Sequence, residues 1–359
     1  MSTKKATSKQ TKKILIAPLN WGLGHAARCV PIIHFIQANG YEPIIASDGV
    51  ALEFLKQEFP SLLAESLPSY HIKYTKKGSW LKWKLLLDMF SILKAVRNEH
   101  KLLKTLAEKY QLSGVISDNR FGMYHKDIPS VYITHQLQVF SGITTFITTY
   151  IHAKFINKYS ECWVPDIALL NSLSGRLAEG KQPKIPVKYL GVLSRFKKAK
   201  KSMVNTVLIL LSGPEPQRTI FEQRLLTEFE NYSEKVLFIR GMLRPTAIHT
   251  NNPNIQLVNF LSGKALQDAI NSSEKVVCRS GYSTIMDLAV LGKKCFFVPT
   301  PGQGEQEYLA KYLQKQHIAP YCKQTDFKTS HLDAVDAYKG FGAYASTKID
   351  SERMQVFDV

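Results

Sequence analysis

The chain contains two segments in which a β-branched strand leads through glycine and small polar residues into a helix. They are ILIAPLNWGLGHAAR at residues 14–28 and KVVCRSGYSTIMDLAVLGKKCFFVP at residues 275–299. The first N–H groups of a helix have no partner within the helix and carry the positive end of its dipole, so each turn suits a phosphate or another anion. Two such turns in one chain predict two lobes that close on one ligand.

Short apolar runs alternate with helix-length spacers along both halves of the chain. The predicted strands of the first half are ILIAP, PIIAS, GVISD, SVYITHQ and ECWVPD, and those of the second half are TVLILLS, KVLFIRG, NIQLVNF, KVVCRSG and KKCFFVP. Strands separated by helices form parallel sheets that are covered on both faces. The sequence therefore predicts an α/β fold with two doubly wound, Rossmann-like domains.

The boundary between these domains is predicted where the composition shifts to proline, glycine and a basic run, at residues 184–202. The predicted units are a basic tail at 1–12, an N-terminal domain at 13–196, a C-terminal domain at 197–340 and a C-terminal tail or helix at 341–359. The last stretch, at about residues 325–359, is polar and has no strong period.

Length and charge narrow the class of partner. With 359 residues, of which 45% are hydrophobic and 21% charged, the chain is long enough for two globular domains. Its 47 lysines and arginines against 29 aspartates and glutamates give a net charge of +18. This excess favours anionic partners such as nucleotides, nucleic acid or acidic lipid.

The cysteines and the N-terminal sequence indicate where the protein is located and whether it binds a structural metal ion. The five cysteines are scattered, with no C-x-x-C pair and no clustering with histidines, so no metal site is predicted. The basic N-terminus is not followed by an apolar run, and no run approaches the roughly 18–20 residues that span a bilayer. We therefore expect a cytoplasmic, reduced protein.

The first turn carries the G-x-G-x-x-A pattern of dinucleotide-binding folds, with Gly22, Gly24 and, one strand later, Asp48. This dehydrogenase interpretation is disfavoured, because four residues separate the strand from the first glycine. A second interpretation uses His25, whose ordinary pKa suits a general base. Asp118 ends a predicted buried strand at the same sheet edge, where it would orient the imidazole. The alternative is that His25 and Asp118 only cap helices.

The second turn offers donors for a phosphate and acceptors for a sugar. Glycine lets a phosphate approach the backbone, and the neighbouring hydroxyls add donors. A carboxylate one turn into the helix, Asp287, would accept the hydroxyls of a ribose. A polar cluster suited to sugar hydroxyls follows the next strand and consists of Gln303, Glu305, Gln306 and Glu307. The alternative is a capped helix followed by a solvated loop.

At these residues the chain resembles the GT-B glycosyltransferases related to family 28. The resemblance covers residues 13–320 and includes the G-x-G-H loop, the Y-x-G linker at 189–191, and RSGYSTIMDLAVLG followed by VPTPGQGEQEY. It implies two Rossmann-like domains that face each other across a cleft, an N-terminal one for the acceptor and a C-terminal one for a nucleotide sugar, which is expected to be UDP-linked. It further implies inversion at the anomeric carbon, with no metal and no cofactor beyond the donor substrate.

The resemblance also assigns roles to individual residues. It implies that the donor diphosphate is held by Ser280, Gly281, Ser283 and Thr284, and the ribose by Asp287. Gln306 and Glu307 fall where the family has paired glutamines at the donor sugar, and Glu307 departs from that pattern. Gly213 and Arg218 would join the nucleotide site, and Arg279 would help the helix dipole neutralise the leaving diphosphate. His25 with Asp118 resembles the base dyad of related UDP-glycosyltransferases.

A basic, aromatic segment at residues 80–106 is relevant to whether the acceptor substrate is linked to a lipid. It mixes Trp80, Trp83 and several leucines with lysines, so it is predicted either to lie at the surface of an anionic membrane, where Trp80 and Trp83 would face lipid, or to be a long core helix. In the first case the protein would be peripheral to the inner face of the cell membrane and the acceptor lipid-linked.

Two rival functions remain. The loop Gly-Leu-Gly-His-Ala-Ala-Arg-Cys also resembles the UDP-sugar hydrolases of pseudaminic acid biosynthesis, in which water is the acceptor. A nucleic-acid-binding protein is suggested by the charge and by the basic run at 195–201. That run is more typical of a solvated linker, and no RNP, KH or helix-turn-helix pattern accompanies it, so no nucleic-acid partner is expected.

Overall fold

The structure is a computed structural model that describes residues 11–70, 81–140, 144–168, 172–179, 182–242, 247–342, 344 and 348–358, without the side chains of residues 81–90. Within these residues the strands form two separate sheets, one of seven strands and one of five, and all their pairings are parallel. Two parallel-sheet α/β domains match the predicted fold class.

The first domain has the strand order β3-β2-β1-β4-β5-β6-β7. Its strands are β1 (Lys13–Pro18), β2 (Glu42–Ser47), β3 (Ala64–Ser66), β4 (Leu112–Asp118), β5 (Ser130–Ile133), β6 (Glu161–Val164) and β7 (Val187–Tyr189). Its helices are α1 (Gly24–Ala38), α2 (Gly49–Glu58), α3 (Leu81–Tyr110) and α4 (Thr145–Ile156).

The second domain has the strand order β10-β9-β8-β11-β12. Its strands are β8 (Asn205–Leu210), β9 (Val236–Ile239), β10 (Ile255–Val258), β11 (Ser273–Cys278) and β12 (Lys294–Phe297). Its helices are α5 (Gln217–Glu228), α6 (Gly263–Asn271), α7 (Tyr282–Leu291) and α8 (Gly304–Lys315). Residues 196 and 197 lie between β7 and β8, and 3₁₀ segments follow α8.

The central strands are apolar because helices cover both faces of each sheet. In β1, Ile14, Leu15 and Ile16 are inaccessible to solvent, and burying each such side chain contributes roughly 1.5–3 kcal/mol. In both sheets the strand order reverses beside the first strand of the domain, between β1 and β4 in the first sheet and between β8 and β11 in the second. Open α/β sheets bind ligands at the carboxyl ends of the strands where the order reverses, so the fold places one such crevice in each domain.

The C-terminal segment returns to the first domain. Its 3₁₀ helix, Ser351–Phe357, buries Met354 and Phe357 in the first-domain core. The Phe357 ring lies over Gly114 of β4, where any Cβ atom would come within 2.3 Å of the ring. Phe341, which precedes this segment, is buried in the core of the second domain. The chain therefore returns from the core of the second domain at Phe341 to the core of the first at Met354 and Phe357, which connects the two domains a second time.

Residues 81–106 of the amphipathic segment lie in α3. The C-terminal part of α3 is a core helix, because Leu103, Leu106 and Ala107 pack against the first sheet. Trp80 lies outside the described residues, and the side chain of Trp83 is not described. No helix within the described part of the chain has both the length and the apolar character needed to cross a bilayer.

Candidate functional site

A cavity of about 470 Å³ lies between the carboxyl edges of the two sheets. Both domains line it, which agrees with the two-lobed cleft predicted from the sequence. Its lining includes Gly22, Gly24, His25, Arg28, His135, Arg195, Ser212, Gly213, Gly281, Tyr282, Ser283, Thr284, Asp287, Gln303, Glu305 and Gln306. Within the described residues, no group of three or more His, Cys, Asp or Glu side chains is arranged to bind a metal ion.

His25 lies at the first crevice, in the first turn of α1, with Asp118 behind it. Asp118 ends β4 opposite Pro18 of β1, so parallel pairing brings the carboxylate to the loop that precedes α1. His25 Nδ1 is 2.8 Å from Asp118 Oδ1. The tautomer with its proton on Nδ1 donates to this carboxylate and leaves Nε2 as a free lone pair. Burial, outweighing Asp118, lowers the pKa of His25 below its ordinary 6.5, so the ring is a neutral base at pH 7.

Arg28 shares Asp118 with His25. One helical turn beyond His25, its guanidinium donates from Nε and Nη2 to the two carboxylate oxygens of Asp118. Burial raises the pKa of Asp118, but its interactions with Arg28 and then with His25 outweigh this effect and hold the pKa well below its usual range. Arg28 Nη2 is also 2.8 Å from His25 Nδ1, so the opposite tautomer of His25 would accept from the arginine.

His135 and Glu305 extend this group across the cleft. Arg28 Nη1 lies 2.8 Å from His135 Nδ1, and His135 Nε2 lies 3.0 Å from Glu305 Oε1 in the second domain. Because Arg28 can only donate, His135 carries its proton on Nε2 and donates it to Glu305. The His135 ring also stacks on Tyr282, with centroids 3.9 Å apart.

The N-terminus of α7 forms the opposite wall of the cavity. Gly281 is the residue before α7, and a Cβ atom there would meet no heavy atom closer than 3.9 Å, so the backbone is open to a ligand. Ser283 Oγ donates to the carbonyl oxygen of Gly24, at 3.0 Å, and Thr284 lines the cavity beside it. The first turns of α1 and α7 thus meet, with free N–H groups and positive dipole ends near one space.

Asp287 lies one turn into α7. Its Oδ1 accepts from Ser194 Oγ in the interdomain linker, at 2.5 Å. Burial raises the pKa of Asp287 to about 6, although Arg195 and the hydrogen bond from Ser194 oppose the rise. A carboxylate on the cavity wall with one accepting oxygen uncommitted can accept from a hydroxyl pair, as the ribose prediction requires.

Some side chains at the polar loop before α8 line the cavity, and others bond within the protein. Gln303 and Gln306 line the cavity, and Gln306 Oε1 accepts from the N–H of Thr300, at 2.8 Å. Glu307 Oε1 accepts from the N–H of Gly302, at 3.0 Å, so Glu307 stabilises its own loop and does not line the cavity. Glu305 reaches the cavity, but it accepts from His135 rather than standing open to a sugar.

Three further predicted residues lie behind the cavity wall. Arg279 is buried, and its guanidinium donates to the backbone oxygens of Val298, Pro299 and Gln217 and to Gln324; it does not face a leaving diphosphate, which corrects the prediction. Arg218 is buried against Glu215 and Glu222 and likewise does not face the cavity. Ser280 Oγ donates to the carbonyl oxygen of Gln306, at 2.7 Å. Gly213, by contrast, lines the cavity with φ +108°.

Sequence reasoning did not find Arg28 and His135. Arg28 carries a signal, because its position three residues after His25 puts both on one face of α1. His135 follows β5, and β5 neighbours β4, but the sequence did not show that this loop reaches the second domain.

Comparisons with known proteins agree with this geometry. The sequence model of the glycosyltransferase family 28 C-terminal domain matches residues 215–336. A relative from Haemophilus ducreyi, a UDP-N-acetylglucosamine--N-acetylmuramyl-(pentapeptide) pyrophosphoryl-undecaprenol N-acetylglucosamine transferase, is 24% identical over 339 residues, which are 90% of this chain and 88% of the relative.

Two solved structures share the fold. The MurG structure from Acinetobacter baumannii has a TM-score of 0.59 and 13% identity, and the match covers 97% of this chain and 99% of MurG. The glycotransferase of kitacinnamycin has a TM-score of 0.65 and 13% identity, and the match covers 97% of this chain and 94% of the glycotransferase.

Proposed function

Since the chain is a GT-B glycosyltransferase that resembles family 28, we propose that it transfers a sugar from a UDP-linked donor to a hydroxyl of a lipid-linked acceptor, with inversion and with His25 as the base. The observation that carries this proposal is the position of His25. Its imidazole lines the same cavity as Gly281 and Ser283 and is held from behind by Asp118 at 2.8 Å.

The transfer proceeds by direct displacement. His25 Nε2 takes the proton of the acceptor hydroxyl as its oxygen forms a bond to the anomeric carbon. The bond from that carbon to the donor phosphate breaks, and the diphosphate leaves with the electron pair. The N-terminus of α7 faces the leaving group and stabilises its charge. In this proposal the N-terminus of α7 stabilises the charge of the leaving diphosphate, as a metal ion does in other transferases. EDTA is therefore expected to leave the rate unchanged.

The donor lies along the second domain. Asp287 accepts from the ribose hydroxyls, and Gln303 and Gln306 contact the sugar. The diphosphate binds between Gly281 and Thr284. UDP is proposed as the nucleotide because the relative from Haemophilus ducreyi is named for a UDP-linked donor. No further cofactor takes part, since the donor itself carries the activated bond.

A lipid-linked acceptor is supported by α4. This helix exposes Phe146, Ile147, Tyr150 and Ile151, whose exposed fractions range from 45% to 80%. The Lys154 ammonium lies 4.7 Å from the Tyr150 ring centroid, so the apolar surface adjoins positive charge, as in helices that lie on anionic bilayers.

The same helix lies beside the cleft. The loop after β5 carries His135 and then contacts α4, where Val139 N donates to Thr149 Oγ1 at 3.1 Å. A membrane held against α4 would therefore place a lipid-linked acceptor near the first-domain wall of the cavity. This arrangement makes the protein peripheral to a membrane surface.

Two measurements test the proposal. Thermal unfolding is followed with UDP, GDP, TDP and CDP, because a ligand that binds only the folded state raises its stability with occupancy. UDP is expected to raise the melting temperature most, and indifference to all four nucleotides would contradict the nucleotide-sugar site. UDP release from UDP-sugars is then measured with and without extracted lipid. Release at full rate without lipid would instead support the sugar hydrolase.

A further inference from the structure

One face of α8 contacts the first domain. Glu305 accepts from His135, Tyr308 Oη accepts from the N–H of Arg176 at 2.8 Å, and Tyr312 Oη donates to the carbonyl oxygen of Ser172 at 2.8 Å. The three α8 residues are spaced three and four apart, which places them on one side of the helix. Of the three, Glu305 alone also contacts the group that holds the proposed base.

From Glu305 a continuous series of hydrogen bonds leads to His25. Glu305 accepts from His135 Nε2 with one oxygen and from Gln136 Nε2 with the other. His135 Nδ1 accepts from Arg28, Arg28 donates to both oxygens of Asp118, and Asp118 accepts from His25. Asp118 is inaccessible to solvent, and Arg28 is only 5% exposed where it lines the cavity, so both depend mainly on these protein partners.

We propose that Glu305 is a positioning residue that holds Arg28 through His135 and thereby keeps the proton of His25 on Nδ1, making the base competent only when the two domains are closed. Arg28 Nη2 lies as close to His25 Nδ1 as Asp118 does, at 2.8 Å. A guanidinium released by His135 can turn toward His25 and favour the opposite tautomer, in which the proton sits on Nε2 and the base is blocked.

The charges support the same assignment. Asp118 and Glu305 are negative and Arg28 is positive, so these three side chains together carry one excess negative charge before the reaction. When His25 takes a proton, that charge compensates the imidazolium. Glu305 thus contributes to the base from the opposite domain without touching the substrate proton.

The experiment compares Glu305→Ala with Tyr312→Phe, which removes another α8 hydrogen bond to the first domain but touches none of these residues. The tautomer of His25 is read from ¹⁵N NMR of the imidazole, assigned with His25→Asn. We expect the Nδ1–H form in the native protein and in Tyr312→Phe, and a mixture in Glu305→Ala. The kcat of Glu305→Ala should fall by about 10- to 100-fold, as for other misplaced catalytic groups, with an unchanged Kd for UDP.

A conservative variant distinguishes the hydrogen bond that Glu305 accepts from the effect of its negative charge. Glu305→Gln keeps an oxygen that accepts from His135, so it should retain the Nδ1–H form of His25. An unaltered tautomer in Glu305→Ala, or an equal change in Tyr312→Phe, would overturn the proposal. The inference rests on the proposed transfer, but its NMR readout does not use activity. Absence of transfer by the native protein would therefore overturn the function alone, while an unchanged tautomer would overturn the positioning role alone.

Discussion

Ser283 Oγ donates a hydrogen bond to the carbonyl oxygen of Gly24, at 3.0 Å, and this bond joins the N-terminal turns of α1 and α7 across the cleft. The first turn carries the proposed base and the second the proposed diphosphate site. Because both helices direct their positive ends toward the same space, an anion bound there is stabilised by both domains. The bond is made when the two domains are close together, so we expect nucleotide binding between these helix ends to favour the closed arrangement of the domains.

Gly24→Ala tests this contact. A Cβ atom at residue 24 would lie 3.0 Å from Ser283 Oγ, so the hydrogen bond must lengthen or the helices must separate. We expect several-fold weaker UDP binding, measured by calorimetry. Gly342→Ala is the control, because no heavy atom lies within 4 Å of its added Cβ. Equal UDP affinity in the two variants would contradict the role of this contact.

Asp287→Asn is expected to raise stability and weaken donor binding. The pKa of Asp287 is raised from 3.8 to about 6 in the folded protein, so folding favours the protonated acid. The free energy of unfolding therefore falls as the pH rises from about 4 to about 6, and the full cost persists above that range. The variant should melt higher than the native protein at pH 7.5 but not at pH 4. UDP affinity should fall about tenfold through the lost ribose contact. A lower melting temperature at pH 7.5 would contradict this account.

The pH dependence of the rate should reflect His25. Burial lowers the pKa of His25 below 6.5, and Arg28 and His135 add to this decrease, while Asp118 opposes it. Glu305, a second carboxylate that interacts with His25, also favours the charged form of the ring. The neutral base is lost as the pH falls through this lowered pKa, so kcat/KM should reach half of its plateau at a pH below 6.5. The measurement is a pH profile of kcat/KM with saturating acceptor. A half-maximal rate at a pH above 6.5 would contradict a buried base whose pKa is lowered.

Membrane binding should depend on α4. Replacing Phe146 and Ile151 with serine removes exposed apolar surface, so co-sedimentation with anionic liposomes should fall while the melting temperature stays unchanged. Met203 and Val204 are exposed hydrophobic residues elsewhere, at 54% and 58%, and their serine variants serve as the control. Liposome binding that survives the α4 changes would remove this surface from the proposal. Trp80→Ala with Trp83→Ala tests the amphipathic segment in the same way.

The sequence predicted the fold and the two central turns because both follow from local pattern. Parallel strands end at one edge, so the position of Asp118 beside the loop of His25 follows from strand order alone. The role of Arg279 could not be predicted in this way. Arg279 adjoins the glycine turn, but its side chain enters the domain interior beside the Phe221 ring, 4.3 Å from the ring centroid. The contact of His135 with Glu305 depends on how the two domains meet, and local sequence patterns do not encode this arrangement.

The central claim is that His25 activates the acceptor while the second domain holds the donor. Transfer rate and UDP affinity measured side by side for the native protein and His25→Asn test it most directly. We predict a rate lower by about 10²- to 10⁴-fold, the usual contribution of a general base, with an unchanged Kd for UDP. A variant that transfers sugar at the native rate, or that loses UDP binding as strongly as it loses transfer, would contradict the claim.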